Sequence, residues 1–434
     1  MEATFHARRA GLGGAYAPPP DKSITHRALL FAAVADGASE IRRPLATGDC
    51  RSTRACLERL GIRFAEASDG TLSVAGAGLR GFAEPAGVLD AGNSGTTLRL
   101  LAGMLAGLPL FATLTGDASL AGRPMARVVE PLRAMGARIE ARAGGTLAPL
   151  CFLPGSGSLR PLRWDLAVAS AQVKSALILA ALRAGGPSLI GGRIDSRDHT
   201  ERMLGAGLGL GVRVEGGRLG VEPPRAVPGF RIDVPGDASS AAFFVAGALV
   251  SGRELTVSGC GLNPTRLAFL DVARRMGARI ELSEEGRSLG EPWGTVRVSP
   301  GRLRGTTVDP EEVPGLIDEV PLIAVLGLFA EGVTEVRGAD ELRHKESDRL
   351  AAIARLATSL GGRIEPLDGG FRVEGPQRLA GGAVDPGGDH RIAMAAAIAG
   401  AGTDGGVRVA DVDCTRVSYP EFARDYQSLG GSVA

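Results

Sequence analysis

Lysine is scarce in this chain. Three of its 49 Lys and Arg residues are lysine, namely Lys22, Lys174 and Lys345. Residues 20–37, PDKSITHRALLFAAVADG, show why their placement matters. From Ile24 onward the segment is almost wholly apolar and reads as a buried helix of about three turns. Yet Lys22, Ser23, His26 and Arg27 crowd its start. A helix N-terminus carries partial positive charge, so cations there are unfavourable unless something negative faces them. The same conflict recurs at Arg99, Lys174, Arg349, His390 and Arg391, all near the starts of apolar or amphipathic runs. Helix-end N–H groups with Lys and Arg beside them form an anion site. The ligand therefore carries several negative groups, of the kind that phosphates and carboxylates supply. Asp318, Glu319 and Glu346 stand near the same places. A carboxylate beside an anion site is unfavourable unless it pairs with a cation or transfers protons. For Glu346, Arg349 is the candidate cation.

These side chains need elements to hold them, and the elements repeat. An apolar residue, a glycine and a short alternating strand recur at Gly61, Gly136, Gly211, Gly277, Gly361 and Gly430. Glycine just past a helix supplies the left-handed cap, and the alternation after it predicts a strand. Interleaved with this series are six apolar helices beginning near Asp21, Asn93, Ser170, Asp237, Asp318 and Asp389. These residue types favour N-caps, a role expected of Asn93, Ser170 and Asp389 in particular. The two series share a period of about 72 residues, so six units are expected, most simply as two domains of three. Helices apolar on every side must lie inside their domains. The Pro- and Gly-rich stretch EPPRAVPGFRIDVPGDASS marks one crossing between domains and the prolines at 18–20 the other.

Bulk properties narrow the function. A net charge of +1 gives no reason to expect a nucleic-acid groove or a membrane-surface face. No uncharged apolar run reaches the ~18 residues of a membrane span. The first residues, MEATFHARRAGLGG, are too short and polar for a secretion signal. Five cysteines without a C-x-x-C pair suit reduced thiols in a cytosol. The P-loop, H-E-x-x-H and G-x-S-x-G patterns are absent. Gly76, Gly78 and Gly81 fit G-x-G-x-x-G, but no helical pattern follows them, so that match is discarded.

In order along the chain stand DKSITHRAL, GNSGTTLRL, GDASLAGRPM, SAQVKSAL, SRDHTE, GDASSAAFF, IDEVPLIAV, RHKESDRL, GDHRIAMA and SYPEF. Together they resemble the 5-enolpyruvylshikimate-3-phosphate synthase family over essentially the whole length. The resemblance implies a two-domain inside-out α/β barrel. Each domain would hold three βαβαββ repeats, with helices inside and sheets outside. The domains would be 21–236 and 1–20 plus 237–434, with a hinge at the crossings.

It also implies a cytoplasmic monomer of aromatic amino-acid biosynthesis, a glyphosate target that works without metal or cofactor. Such an enzyme transfers the enolpyruvyl group of phosphoenolpyruvate to shikimate 3-phosphate and releases phosphate. Carried over, Lys22, Ser23, Arg27, Ser170, Ala171, Gln172, Arg197, Asp318 and Lys345 would meet shikimate 3-phosphate. Lys22, Asn93, Gly95, Arg123, Gln172, Arg349 and Arg391 would meet phosphoenolpyruvate. Asp318, Glu346 and Lys22 would move protons or stabilise charge. One departure is Val417, where the family often has a lysine; phosphoenolpyruvate is expected to be held with one cation fewer. The rival readings are a UDP-N-acetylglucosamine enolpyruvyl transferase and a non-catalytic anion-binding relative. Against the first, GDASLAGRPM lacks the cysteine which that enzyme usually carries in the matching loop.

Overall fold

The computed structural model describes residues 1–7 and 11–434. Residues 8–10, part of the segment 1–20 assigned above to the second domain, lie outside the described residues. The chain forms two compact units. One comprises Met1–Pro19, Gly236–Gly286 and Pro292–Ala434; the other comprises Pro20–Pro235 and Arg287–Glu291. The excursion Arg287–Glu291 is not in the expected boundaries. It is held to the second of these units by distant partners: Asp233 N donates to Ser288 Oγ at 2.9 Å, and Glu291 Oε1 lies 2.9 Å from His199 Nδ1.

In the unit of Pro20–Pro235, three four-stranded sheets share one pattern among the described residues. Each begins with a parallel pair and continues with two antiparallel steps. Strand Arg231–Asp233 runs parallel to Ala38–Arg42, which pairs antiparallel with Leu72–Ala75 and so to Arg63–Glu66. The same order joins Leu89–Asp90, Ala112–Thr115, Leu147–Phe152 and Ile139–Ala141. It recurs in Arg163–Leu166, Ser188–Gly192, Arg218–Val221 and Val212–Glu215. The first strand of the first sheet thus comes from the far end of the unit.

The other unit also carries three four-stranded sheets. Gly14–Tyr16 lies parallel to Leu255–Gly261, and Ala3–Ala7 sits between Val407–Val409 and Gly431–Val433. Those pairings explain why the first residues of the chain belong with its C-terminal half.

The helices carry the site. In chain order the relevant ones are α1 (Lys22–Ala33), α2 (Gly48–Arg59), α3 (Gly95–Leu105) and α4 (Ala171–Ala181) in the unit of Pro20–Pro235. In the other unit they are α5 (Ala238–Ser251), α6 (Val320–Phe329), α7 (Arg349–Ser359) and α8 (His390–Ala399). Helices α1, α3, α4, α5, α6 and α8 are buried along nearly their whole lengths. Each fully buried Leu or Phe on them stabilises by about 1.5–3 kcal/mol. Small residues let the backbones approach. A Cβ on Gly103 of α3 would lie 2.0 Å from the carbonyl oxygen of Ala176 in α4, so no side chain fits there. Among the described residues, no helix is long and apolar enough to cross a membrane.

Candidate active site

The mouths of the buried helices carry two clusters, one in each unit. In the unit of Pro20–Pro235, Asp21 caps α1 by accepting the Ile24 N–H at 2.8 Å, which fixes where the chain enters the helix. Lys22 is then the first helical residue, and its Nζ donates to Asp49 Oδ2 at 3.0 Å. Arg27, one turn further, is 3% exposed. Its Nε donates to Thr200 Oγ1 at 2.7 Å, its Nη2 to Ser175 Oγ at 2.8 Å and its Nη1 to the Ser23 carbonyl at 3.0 Å. Three hydrogen bonds to hydroxyl and carbonyl oxygens thus fix the direction of the guanidinium.

Helix α3 adds the next group. Ser94, rather than Asn93, caps it, accepting the Thr97 N–H at 3.1 Å. That corrects the expected role of Asn93, and the reason is a one-residue register. Asn93 instead uses both ends of its amide. Oδ1 accepts from Arg123 Nη2 at 2.8 Å, and Nδ2 donates to Asp117 Oδ2 at 2.7 Å. Gly95 opens the helix. A Cβ there would lie 2.8 Å from Arg99 Nη1, 3.4 Å from Arg123 Nη1 and 3.7 Å from Gln172 Oε1. Gln172 is gripped from both sides, accepting from Arg99 Nη1 at 2.6 Å and donating to Thr96 Oγ1 at 3.0 Å. Asn93, Gly95, Arg99, Arg123 and Gln172 thus form one cluster. Ser170 caps α4 as expected, so Ala171 and Gln172 are its first helical residues. Arg197 lies on the segment that precedes the short helix His199–Glu201.

Behind these residues runs a buried chain of polar side chains. His26 Nδ1 lies 2.7 Å from Thr53 Oγ1, which lies 2.6 Å from Thr97 Oγ1, which donates to Ser94 Oγ at 2.8 Å. Burial drives the His26 pKa down to about 3, so the ring is neutral and adds no charge to the site. Lys174 departs from expectation. It does not face the helix mouth; it is 2% exposed and turns towards Glu201.

In the other unit, Arg349 is the hub. At 1% exposure it is among the largest fully buried side chains. Nη1 donates to Asp318 Oδ1 at 3.1 Å, Nη2 to Glu346 Oε2 at 2.6 Å, and Nε to Asp389 Oδ2 at 2.8 Å. Burial opposes the guanidinium charge, but Asp389, Glu346 and Asp318 together outweigh it, so Arg349 stays firmly protonated. Burial also raises the Asp389 pKa; Arg349 outweighs that and leaves it below the usual carboxylate range. Asp389 caps α8 through the Arg391 N–H at 2.9 Å, as expected. The Arg391 guanidinium sits 5.7 Å above the Phe243 ring, a cation–π contact that orients it.

Asp318 is not the cap its position suggested. Helix α6 begins at Val320, after Glu319, and Asp318 turns to Arg349 instead. The expected pairing of Glu346 with Arg349 is present. Side-chain exposure separates the three carboxylates: Asp389 is at 0%, whereas Asp318 and Glu346 reach 17% and 24%. One carboxylate is structural, and two can meet a ligand. Lys345 sits just after a short helical turn, Asp340–His344, four residues before α7.

Sequence reasoning missed Asp49, Asp117, Thr97, Ser175, Thr200 and Glu201. Asp49, in the first turn of a helix, carried a legible signal; for the others the signal lies in tertiary pairing.

Cations and neutral donors at the helix mouths of one unit, and two partly exposed carboxylates on a buried arginine in the other, are the features of an α/β protein suited to small anionic ligands. Comparison with known proteins narrows the class. A sequence model of EPSP synthase (3-phosphoshikimate 1-carboxyvinyltransferase) matches residues 8–426. A protein of Herpetosiphon aurantiacus named 3-phosphoshikimate 1-carboxyvinyltransferase is 46% identical over 429 residues, 98% of each chain. One of the same name from Pelotomaculum thermopropionicum is 47% identical over 415 residues, 95% of each. An EPSP synthase structure from Acinetobacter baumannii superposes with a TM-score of 0.88 at 34% identity, covering 100% of this chain and 99% of that one. The chain belongs to the EPSP synthase family.

Proposed function

We propose that this chain transfers the enolpyruvyl group of phosphoenolpyruvate to the 5-hydroxyl of shikimate 3-phosphate, releasing phosphate. The observation that carries the reading is the pairing of chemistries. One cluster gathers arginines at helix mouths, oriented by Thr, Ser and Asn side chains, and the other offers two partly exposed carboxylates on one guanidinium. Each substrate brings a phosphate and a carboxylate, matched to the first cluster, and the reaction needs proton transfers, matched to the second. The names of the relatives do not favour the UDP-N-acetylglucosamine alternative.

In this reading Lys22, Ser23, Arg27, Ser170, Ala171, Gln172 and Arg197 hold shikimate 3-phosphate, with Asp318 and Lys345 reaching its hydroxyls. Lys22, Asn93, Gly95, Arg123, Gln172, Arg349 and Arg391 hold phosphoenolpyruvate. Asp318 removes the proton of the 5-hydroxyl as its oxygen attacks C2 of phosphoenolpyruvate, and Glu346 delivers a proton to C3. Glu346, now a carboxylate, takes a proton back from C3 of the tetrahedral adduct as the C2–O bond to phosphate breaks, and the proton held by Asp318 leaves with the phosphate or to solvent. Lys22 and the arginines stabilise the charge that moves onto the leaving group. Arg349 exchanges its Glu346 contact for the substrate carboxylate, which frees Glu346 to act as the acid. Because Asp318, Glu346 and Asp389 share one guanidinium, their protons are linked rather than independent. The finer architecture belongs to the same proposal: three βαβαββ repeats per unit with helices inside and sheets outside, a hinge at the two crossings, and a cytoplasmic monomer.

Addition–elimination has a signature. C3 passes through a methyl group, so turnover in D2O places deuterium in the vinyl CH2 of the product. Mass spectrometry showing product without deuterium would exclude the mechanism.

Gly95 gives a second test. In Gly95→Ala the new methyl meets the end of a flexible arginine rather than backbone, so the protein folds while Arg99 and Arg123 shift. The KM for phosphoenolpyruvate is expected to rise on the order of tenfold, the equivalent of one weakened charge-assisted hydrogen bond. That for shikimate 3-phosphate should change little. Steady-state kinetics with each substrate varied in turn decide it; equal changes in both constants would count against the placement.

A further inference from the structure

Lys174 has no part in the mechanism above, yet it is a buried ammonium placed with care. Its Nζ donates to the Ile194 carbonyl at 2.9 Å and the Ser196 carbonyl at 3.2 Å, and lies 2.6 Å from Glu201 Oε1. Those acceptors flank Arg197, two before it in sequence and one after. The ammonium donates to the two carbonyls and is ion-paired with Glu201, whose buried carboxylate oxygens accept no hydrogen bond among the described residues and so depend on this cation for compensation. Burying such a charge is unfavourable unless it is both paired and hydrogen-bonded, and here it is both.

The rest of the segment is anchored as well. Asp198 Oδ1 accepts from Arg202 Nε at 2.8 Å, His199 Nδ1 lies 2.9 Å from Glu291 Oε1, and Thr200 Oγ1 accepts from Arg27 Nε at 2.7 Å. Ser175, the next residue after Lys174, holds the same Arg27. Lys174 therefore stands where α4, the arginine of α1 and the segment 194–201 meet.

We infer that Lys174 is a positioning residue for shikimate 3-phosphate: it staples both sides of the Arg197 segment to the helix whose mouth presents Ser170, Ala171 and Gln172. This rests on the reading that Arg197 and that helix mouth hold shikimate 3-phosphate. It also accounts for a lysine in a chain that otherwise uses arginine. A planar guanidinium fork directs its donors in one plane and cannot reach two carbonyls and a carboxylate placed around a point.

The test is kinetic, on the full-length enzyme. Lys174→Arg keeps the cation opposite Glu201, so it removes the three-way contact without orphaning the carboxylate. The KM for shikimate 3-phosphate is expected to rise on the order of tenfold, with kcat and the KM for phosphoenolpyruvate within about twofold of wild type. The double variant Lys174→Met with Glu201→Gln, which leaves no charge at either position, should show at least as large a rise. Arg197→Gln is run beside them. If it raises the KM for shikimate 3-phosphate while Lys174→Arg does not, the positioning role is wrong and the site reading stands. If Arg197→Gln itself leaves that KM unchanged, the site reading fails and the inference goes with it. A parallel change in kcat and both KM values on Lys174→Arg would also overturn the inference, because a general loss of structure produces that pattern.

Discussion

With Asp318 as the proposed general base, Asp318→Asn is expected to lower kcat by about 1,000-fold while the protein stays folded, because the proton acceptor goes and little else does. Asparagine has the same shape, and its amide oxygen can still accept from Arg349 Nη1, now 3.1 Å from Asp318 Oδ1. What it cannot do is take the proton of the attacking hydroxyl. The loss should therefore fall mainly on kcat; the KM for phosphoenolpyruvate should hold, and that for shikimate 3-phosphate should move little because asparagine keeps an oxygen for the hydroxyl that Asp318 reaches. Stopped-flow or steady-state phosphate release measures it. A variant within about tenfold of wild type would move the base to another group, with Glu346 the first to be tried.

Arg349→Met is expected to destabilise the protein by about 3–5 kcal/mol at pH 7, the range for removing one partner of a buried ion pair. The site is severe for its kind. Asp389 is wholly buried, and Asp318 and Glu346 lean on the same guanidinium. Methionine fills most of the volume, so the loss is electrostatic rather than a cavity. The pH dependence has a definite sign. In the wild type the Asp389 pKa is held below that of the unfolded chain. Its contribution is therefore complete above the unfolded pKa and is lost as pH falls towards the folded one. In the variant, burial loses its main counterweight, with His390 and the Ser347 and Arg391 donors left, so the pKa rises and protonation of the folded state relieves the loss as pH falls. The gap between wild type and variant should narrow from pH 7 towards pH 4. Urea unfolding at both pH values checks this; a gap that stays constant would mean the carboxylates do not depend on Arg349.

Much of the architecture was legible because it is written in local pattern. Runs apolar on every side require burial, and α1, α3, α4, α5, α6 and α8 are buried. Glycine after an amphipathic run marked five helix ends, at Gly61, Gly136, Gly277, Gly361 and Gly430; at the remaining one the helical segment stops at Gly207, and Gly209, not Gly211, takes the left-handed conformation. Cations at helix starts conflict with the helix dipole, and that conflict pointed to Lys22, Arg27 and Arg391 with no other information. What failed was finer. Ser94 and Asn93 are both good caps, and only backbone geometry selects between them. Asp318 has a capping residue's chemistry, but Arg349, distant in sequence, takes it. Lys174 looked like its fellow lysines at a helix start. Its direction is set by Glu201 and two backbone carbonyls, and nothing in the local sequence records that. The excursion Arg287–Glu291 was hidden for the same reason, since His199 and Asp233 draw it across.

The most direct test of the central claim is phosphate release from phosphoenolpyruvate by the purified wild-type protein. Release is expected to require shikimate 3-phosphate, to stop when either substrate is omitted, and to match the enol ether formed mole for mole. Release from phosphoenolpyruvate alone, or none with both substrates present, would contradict it.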